Sequence, residues 1–120
     1  MSQSILKEKS FAFAISVVKA YKTLAEEKKE FVMSKQLLRS GTSVGANIRE
    51  AKNAESKNDF VHKLGIAQKE CDEALYWLEL LYFTEYINKG AFEKLSDEAT
   101  QILKMLRSTI LTIKQKNLKS

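Results

Sequence analysis

A repeating stripe of small and apolar residues between Ser34 and Ala51 constrains the fold more than any other feature of this sequence. Its members recur at intervals of 4, 3, 4 and 3 residues, the spacing that keeps one narrow face of an α-helix against a partner helix. They are Leu37, Gly41, Val44, Ile48 and Ala51. Because such a seam needs a partner to cover it, the sequence predicts a protein built from packed helices.

Two glycines, Gly41 and Gly45, lie one turn apart within this predicted helix. Each costs about 0.8–1 kcal/mol of helix stability relative to alanine. We therefore expect another part of the protein to approach the backbone of this helix closely at the two glycines.

A second stripe, entirely polar, runs beside the seam. Its members are Ser40, Ser43, Asn47 and Glu50. In one interpretation these side chains form hydrogen bonds across the protein to Lys69, Glu73 or Tyr76, and so fix the register of two helices. In the other, they line a groove or pore with Arg39 and Arg49 that receives RNA or a partner protein. We favour the first interpretation.

Apolar periodicity predicts four helices, at about residues 4–26, 31–56, 60–87 and 91–114. Proline is absent and glycine occurs only four times, so the turn residues typical of β-sandwiches and barrels are missing. We expect a solvated connection from Glu26 to Glu30, a cap on the third helix at Asp59, and the end of that helix at Gly90. Short connections force neighbouring helices to be antiparallel, which predicts an all-α, up-down-up-down antiparallel four-helix bundle in a single domain, residues 1–120.

The net charge of +5 is distributed in three blocks. Residues 1–57 carry eleven Lys and Arg and six Glu, residues 58–100 carry four Lys and nine acids, and residues 101–120 carry five basic residues and no acid. Alternating blocks favour particular helix pairs or head-to-tail subunit contacts. Basic segments at both ends of the chain are also typical of proteins that face a nucleic-acid backbone.

The sequence contains no recognisable catalytic or metal-binding pattern. The single histidine, His62, has no nucleophile partner and is expected at the surface, and the single cysteine, Cys71, is expected to be a small buried residue. The carboxylates near Glu73 lack the Glu-x-x-His pair of di-iron bundles. We therefore predict a non-enzyme without catalytic, cofactor or metal sites and without a small-molecule substrate. Because no apolar run has the length of a signal peptide or a membrane span, we expect a cytoplasmic protein with no membrane partner.

The third predicted helix carries more apolar residues than a bundle core needs. From Leu75 to Phe83 only Glu79 is charged, whereas a bundle helix requires about three apolar positions in seven. Its predicted seam comprises Leu64, Ala67, Cys71, Ala74, Leu78 and Leu81. The residues left over are Tyr76, Trp77, Leu80 and Phe83. They either broaden the core or form an oligomer interface, and the enrichment of interfaces in aromatic residues favours the latter.

Two stretches carry a resemblance to a known family. Residues Ser34–Ala51, SKQLLRSGTSVGANIREA, and Phe60–Leu81, FVHKLGIAQKECDEALYWLELL, resemble the 23S rRNA intervening-sequence proteins, which are small bacterial four-helix bundles, and more distantly the accessory variability proteins of diversity-generating retroelements. With Phe11–Ala14 and the closing leucine-rich helix, the resemblance covers nearly the whole chain. Cys71 departs from the family pattern, which leads us to expect Ala or Ser there. The resemblance implies a ring-shaped homo-oligomer, a pentamer.

These observations together predict a self-assembling binding or scaffold module whose partner is structured RNA or another nucleic acid. The alternative is a protein-directed assembly factor that binds no nucleic acid. The basic residues best placed for phosphate contact are Arg39, Arg49, Lys104, Arg107, Lys114 and Lys116. The sequence places no exposed aromatic residues beside Arg39 or Arg49. We therefore expect any contact with nucleic acid to be mainly electrostatic and not to involve base stacking.

Overall fold

The computed structural model describes residues 2–119, and the side chains of residues 5–116. Its helices are α1 (Ser2–Glu26), α2 (Met33–Ala51), α3 (Lys57–Phe83) and α4 (Lys89–Lys119). Each helix packs against two others, in the cyclic order α1, α2, α3, α4. The predicted all-α, up-down-up-down antiparallel bundle is confirmed, as a rod of 53 × 22 × 21 Å. Across residues 2–119, none of the helices is both long enough and apolar enough to cross a bilayer.

The predicted seams form the core of the bundle. All members of the α2 seam and of the predicted α3 seam are buried. They pack with apolar side chains of the two other helices, among them Phe13 and Val17 of α1 and Ile102 and Leu106 of α4. Because 3.6-residue periodicity alone identified these α2 and α3 positions, their burial follows directly from the sequence pattern.

The close approach expected at the two glycines of α2 is confirmed, and the neighbour is α1. A methyl group added at Gly41 would lie 2.8 Å from Cγ2 of Val17. One added at Gly45 would lie 3.4 Å from the carbonyl oxygen of Ser10. Since 2.8 Å is well inside van der Waals contact, Gly41 is the position where α1 leaves no room for a side chain.

The α2–α3 connection differs from the prediction. Helix α2 ends at Ala51 rather than near residue 56, and α3 begins at Lys57. Asp59 is not the cap: Ser56 is extended, and its hydroxyl accepts a hydrogen bond from the backbone N–H of Asp59 at 3.0 Å. Asp59 instead accepts a bond from the backbone N–H of Glu55 at 3.3 Å. The serine and the aspartate thus satisfy backbone donors in a pattern similar to a capping box.

The end of α3 was also predicted incorrectly. The helix stops at Phe83, and Glu85, with φ 67°, takes the left-handed conformation that we expected of Gly90. The backbone N–H of Tyr86 donates to the carbonyl of Leu81 at 2.9 Å, the six-to-one bond of a Schellman motif. Gly90 lies instead in the first turn of α4, which Asn88 caps by accepting a bond from the N–H of Ala91 at 2.8 Å.

Glu30 is buried rather than solvated, with 7% of its surface exposed. Its carboxylate accepts hydrogen bonds from the backbone N–H groups of Val32, Met33 and Ser34 at 3.0, 3.0 and 2.7 Å. Burial raises the pKa of the Glu30 carboxyl, but the three backbone bonds outweigh it, so the pKa lies below its ordinary value of 4.5. The charged run after α1 therefore also supplies the carboxylate that caps the N-terminus of α2.

We expect Glu30→Ala to destabilise the bundle by about 1–2 kcal/mol, because it leaves the first N–H groups of α2 without an acceptor. Glu27→Ala, at an exposed carboxylate of the same connection, serves as the control and should have little effect. Chemical denaturation at several pH values measures both. Since the folded-state pKa of Glu30 is depressed, its contribution is present above pH 4.5 and is lost as the pH falls through the folded-state value. An equal loss in both variants would contradict the capping role.

Candidate nucleic-acid interface

Charge is unevenly distributed along the rod. The pairs Lys9–Gln101 and Glu50–Lys63, both at 3.0 Å, fix which segments lie side by side. One half of the rod, which we call the basic end, comprises residues 2–14, 44–70 and 101–119 and carries twelve Lys and Arg and five acids. The other half, residues 15–43 and 71–100, carries eight Lys and Arg and ten acids. The positive net charge of the chain therefore belongs to one end of the bundle.

The four phosphate-contact candidates of α4 all lie at the basic end and are exposed. They are Lys104, Arg107, Lys114 and Lys116. Arg107 makes one long contact, 3.9 Å from Nη2 to Oδ1 of Asp72, and both side chains remain more than half exposed. A surface pair of this kind is worth little and leaves the guanidinium accessible.

Basic side chains of other helices converge on the end of α4. Lys116 lines a shallow groove together with Lys52 and Lys57 from the α2–α3 region. Lys114 lines another with His62 and Lys69 of α3. His62 is exposed, as predicted. The basic surface therefore continues from α4 onto the connection between α2 and α3.

Arg39 lies outside the basic end and is held by carboxylates of α3. Its guanidinium donates to Oε1 of Glu70 at 3.1 Å and to Oε2 of Glu73. The bond from Arg39 lowers the pKa of the Glu73 carboxyl below its ordinary value, and the indole N–H of Trp77, 3.0 Å from the same oxygen, acts in the same direction. These bonds hold α2 to α3 and engage the Arg39 guanidinium with carboxylates of the protein itself.

Arg49 lies at the basic end and has an aromatic neighbour that the sequence pattern does not reveal. The guanidinium carbon lies 5.5 Å from the ring centroid of Phe11, within the range of a cation–π contact. Phe11 is 55% exposed. Its position off the α1 seam, which contains Leu6, Phe13 and Val17, was the signal that it faces outward. The expectation that Arg49 has no exposed aromatic companion is therefore wrong.

The polar stripe of α2 bonds mainly within its own helix. Ser40 is buried, and its hydroxyl donates to the carbonyl of Gln36 at 2.8 Å. Ser43 and Asn47 likewise donate to carbonyls one turn earlier. Only Glu50 reaches α3, where it binds Lys63. Among the side chains that the structure describes, the bonds expected from this stripe to Lys69, Glu73 or Tyr76 do not form.

The leftover aromatic residues of α3 divide into two groups. Trp77 is half-buried and packs against the core, so it is part of the packing within the chain. Tyr76 and Phe83 are 56% and 76% exposed. With the half-buried Leu80 between them, they form an apolar strip on the outer face of α3, at the end of the rod opposite to the basic end.

The structure assigns no chemical role to the cysteine. Cys71 is buried as predicted, and its thiol donates to the carbonyl of Ala99 at 3.2 Å. Burial raises the pKa of this thiol to about 12, so the reactive thiolate is not formed near neutral pH. Within the described residues no three His, Cys, Asp or Glu side chains lie close enough together to hold a metal ion.

The chain matches a protein-family model and is similar to solved structures. The model of the family described as 23S rRNA-intervening sequence protein matches residues 2–108. A crystal structure at 1.70 Å of a protein with unknown function from the S23 ribosomal protein family of Bacteroides thetaiotaomicron VPI-5482 is 55% identical in sequence, with a TM-score of 0.90. The match covers 92% of this chain and 98% of that one. Among curated proteins, none matches.

Proposed function

We propose, from the premise that this chain belongs to the 23S rRNA-intervening sequence protein family, that it is a self-assembling helical module that binds structured RNA. The RNA contact is assigned to the basic end, and assembly to the outer face of α3. In this proposal the protein catalyses no reaction: it holds RNA on an assembled scaffold.

The concentration of positive charge at one end of the rod carries the RNA-binding proposal. That end carries twelve Lys and Arg residues and only five acidic residues, and its four α4 cations are exposed. Each Lys or Arg that neutralises a phosphate releases condensed counterions, which favours binding. Such a surface contacts the backbone and selects RNA by shape rather than by base sequence.

The apolar strip of Tyr76, Leu80 and Phe83 supports self-assembly. Exposed aromatic side chains near the centre of an interface can contribute about 2 kcal/mol or more each to association. Because the strip lies away from the basic end, both surfaces can be occupied at once. We propose a ring-shaped homopentamer, which the family resemblance implies.

A second candidate function is a protein-directed assembly factor that binds no nucleic acid. The same apolar strip favours it, since a partner protein would bury this surface as well as another copy would. In that case the basic end is only a solvated surface, and replacing its charges leaves all binding unchanged.

The test of the RNA proposal is the salt dependence of binding to a hairpin RNA, followed by fluorescence anisotropy. Lys104→Gln, Arg107→Gln, Lys114→Gln and Lys116→Gln combined should weaken binding and flatten the slope of log affinity against log salt. Each lost phosphate contact removes about 0.7–0.9 from that slope, so we expect a decrease of about 3. Glutamine retains good helix propensity, and oligomer mass should not change.

A matched control removes four exposed lysines from the other half of the rod. Lys19, Lys22, Lys28 and Lys35 are all exposed and, replaced by Gln, change the net charge by the same amount. The slope should then stay near that of the wild type. Equal losses in the two variants would mean that only net charge matters, and a wild type that binds neither hairpin RNA nor duplex DNA at low salt would leave the assembly-factor function as the better one.

A further inference from the structure

A groove of about 430 Å³ runs between α1 and α2 at the basic end. It is lined by Lys7 and Phe11 of α1, and by Gly45, Arg49, Glu50 and Asn53 on the α2 side. Small residues, including Gly45 and Ala46, keep the groove open. Its volume falls within the range of about 300–1,000 Å³ that is typical of ligand sites.

The groove combines an exposed aromatic ring with cations. Phe11 forms part of its wall, and Arg49 lies over the ring at 5.5 Å. Lys7 lines the same groove, which continues into a shallower depression bordered by Lys52 and Glu8. The carboxylate of Glu50 is neutralised by Lys63 at 3.0 Å. Around the groove and the depression, the cations Lys7, Arg49 and Lys52 therefore outnumber Glu8, which is the one described lining carboxylate apart from Glu50.

We propose that this groove binds one unpaired nucleotide of an RNA, with its base stacked on the ring of Phe11. The adjacent phosphates bind Arg49 and Lys7, and the side-chain amide of Asn53 lies at the groove to bond an edge of the base. This inference rests on the proposed function and adds a second mode of contact, since the α4 surface binds backbone phosphates only.

The arrangement selects unpaired over paired RNA for a physical reason. A base inside a duplex is already stacked and has no free face, whereas a loop or bulge presents a base that an aromatic ring can cover. An arginine whose guanidinium lies over such a ring, as Arg49 does, attracts the π-system of the ring and can also contact a phosphate next to the base. The groove therefore fits a nucleotide in a loop beside a helical stem.

The test compares two RNA strands of ten nucleotides, one of uridines and one of the same length that lacks bases. Stacking of a base on an aromatic side chain makes a difference of about tenfold in affinity, so wild-type protein should bind the uridine strand about tenfold more tightly. Phe11→Leu should abolish that preference and leave affinity for the baseless strand unchanged. Phe11→Trp should retain the preference.

A charge variant separates the two parts of the site. Arg49→Gln should reduce the salt slope by about 0.7 for both strands, because one phosphate contact is lost, whereas Phe11→Leu should leave the slope unchanged. Thermal denaturation checks folding, and light scattering checks mass. Phe11 is more than half exposed, so its replacement by Leu removes little core packing.

The results distinguish whether the Phe11 ring stacks on a base or contacts another copy of the chain. A preference for uridine that persists in Phe11→Leu overturns the nucleotide site, while the RNA function stands if the α4 variant still flattens the slope. Loss of oligomer mass in Phe11→Leu would place the ring between copies of the chain and also overturns the site. A wild type that binds no RNA at all rejects the groove and the proposed function together.

Discussion

Replacing Tyr76 and Phe83 by Gln should convert the proposed oligomer to monomers of 13.7 kDa without loss of helix content. Both side chains are mostly exposed in the single chain, so their removal leaves the bundle core intact. Interface anchors of this type contribute about 2 kcal/mol or more each, so the loss of both should strongly weaken every contact between copies. Sedimentation equilibrium measures the mass, and circular dichroism measures the helix content.

Leu111→Gln is the matched control for this change. Leu111 is also an exposed large apolar residue, but it lies on α4 at the opposite end of the rod. Its replacement should leave the mass unaltered. Trp77 is avoided because its ring packs against the core and its loss would confuse folding with assembly. A monomeric wild type, or a double variant of undiminished mass, would refute assembly through α3.

We expect Gly41→Leu to destabilise the fold by about 2–3 kcal/mol, near the upper end of the usual cost of overpacking. Even a single added methyl would meet Val17 at 2.8 Å, and Val17 is fully buried, so neither side can yield without moving α1. Leucine is the better helix former by about 0.8–1 kcal/mol, and this gain is too small to offset the clash. Urea denaturation gives the free energy of unfolding.

Gly65→Ala, also at a glycine within a helix, should have the opposite effect on stability. Nothing lies within 4 Å of a methyl group added at Gly65. Here propensity alone acts, and stability should rise by about 0.8–1 kcal/mol. If the two substitutions change stability in the same direction, close approach of α1 is not the reason for Gly41.

Helix content, order and the buried faces of α2 and α3 were predictable because they depend on local periodicity. The α2 seam repeats every 3.5 residues on average, and any helix with that pattern must bury it. Helix ends were less predictable because they depend on single side chains whose alternatives are nearly equal in energy. Ser56 rather than Asp59 caps α3, and Glu85 rather than a glycine takes the left-handed position.

The candidate site was predictable in part. The cations of α4 were identified from sequence because exposure of residues off a seam follows from the helical period. The partners of Arg39, Arg49 and Glu30 were missed. Arg39 bonds carboxylates 31 and 34 positions away, and Arg49 meets a ring on a different helix, so both contacts depend on how far α1 and α3 are shifted along α2. Periodicity does not determine that axial shift.

The uneven charge of the rod has a kinetic consequence. Its basic end and its slightly acidic other half form a permanent dipole along the long axis. The electric field of a polyanion orients such a dipole before the two molecules touch, with the basic end toward the polyanion. For the proposed RNA partner, productive encounters are then expected to be end-on, and the association rate constant should respond to ionic strength far more than the dissociation rate constant. In the proposed function, the rate of association with RNA is thus set by the charge difference between the two ends of the rod, while the lifetime of each complex is set by the side chains that contact the RNA.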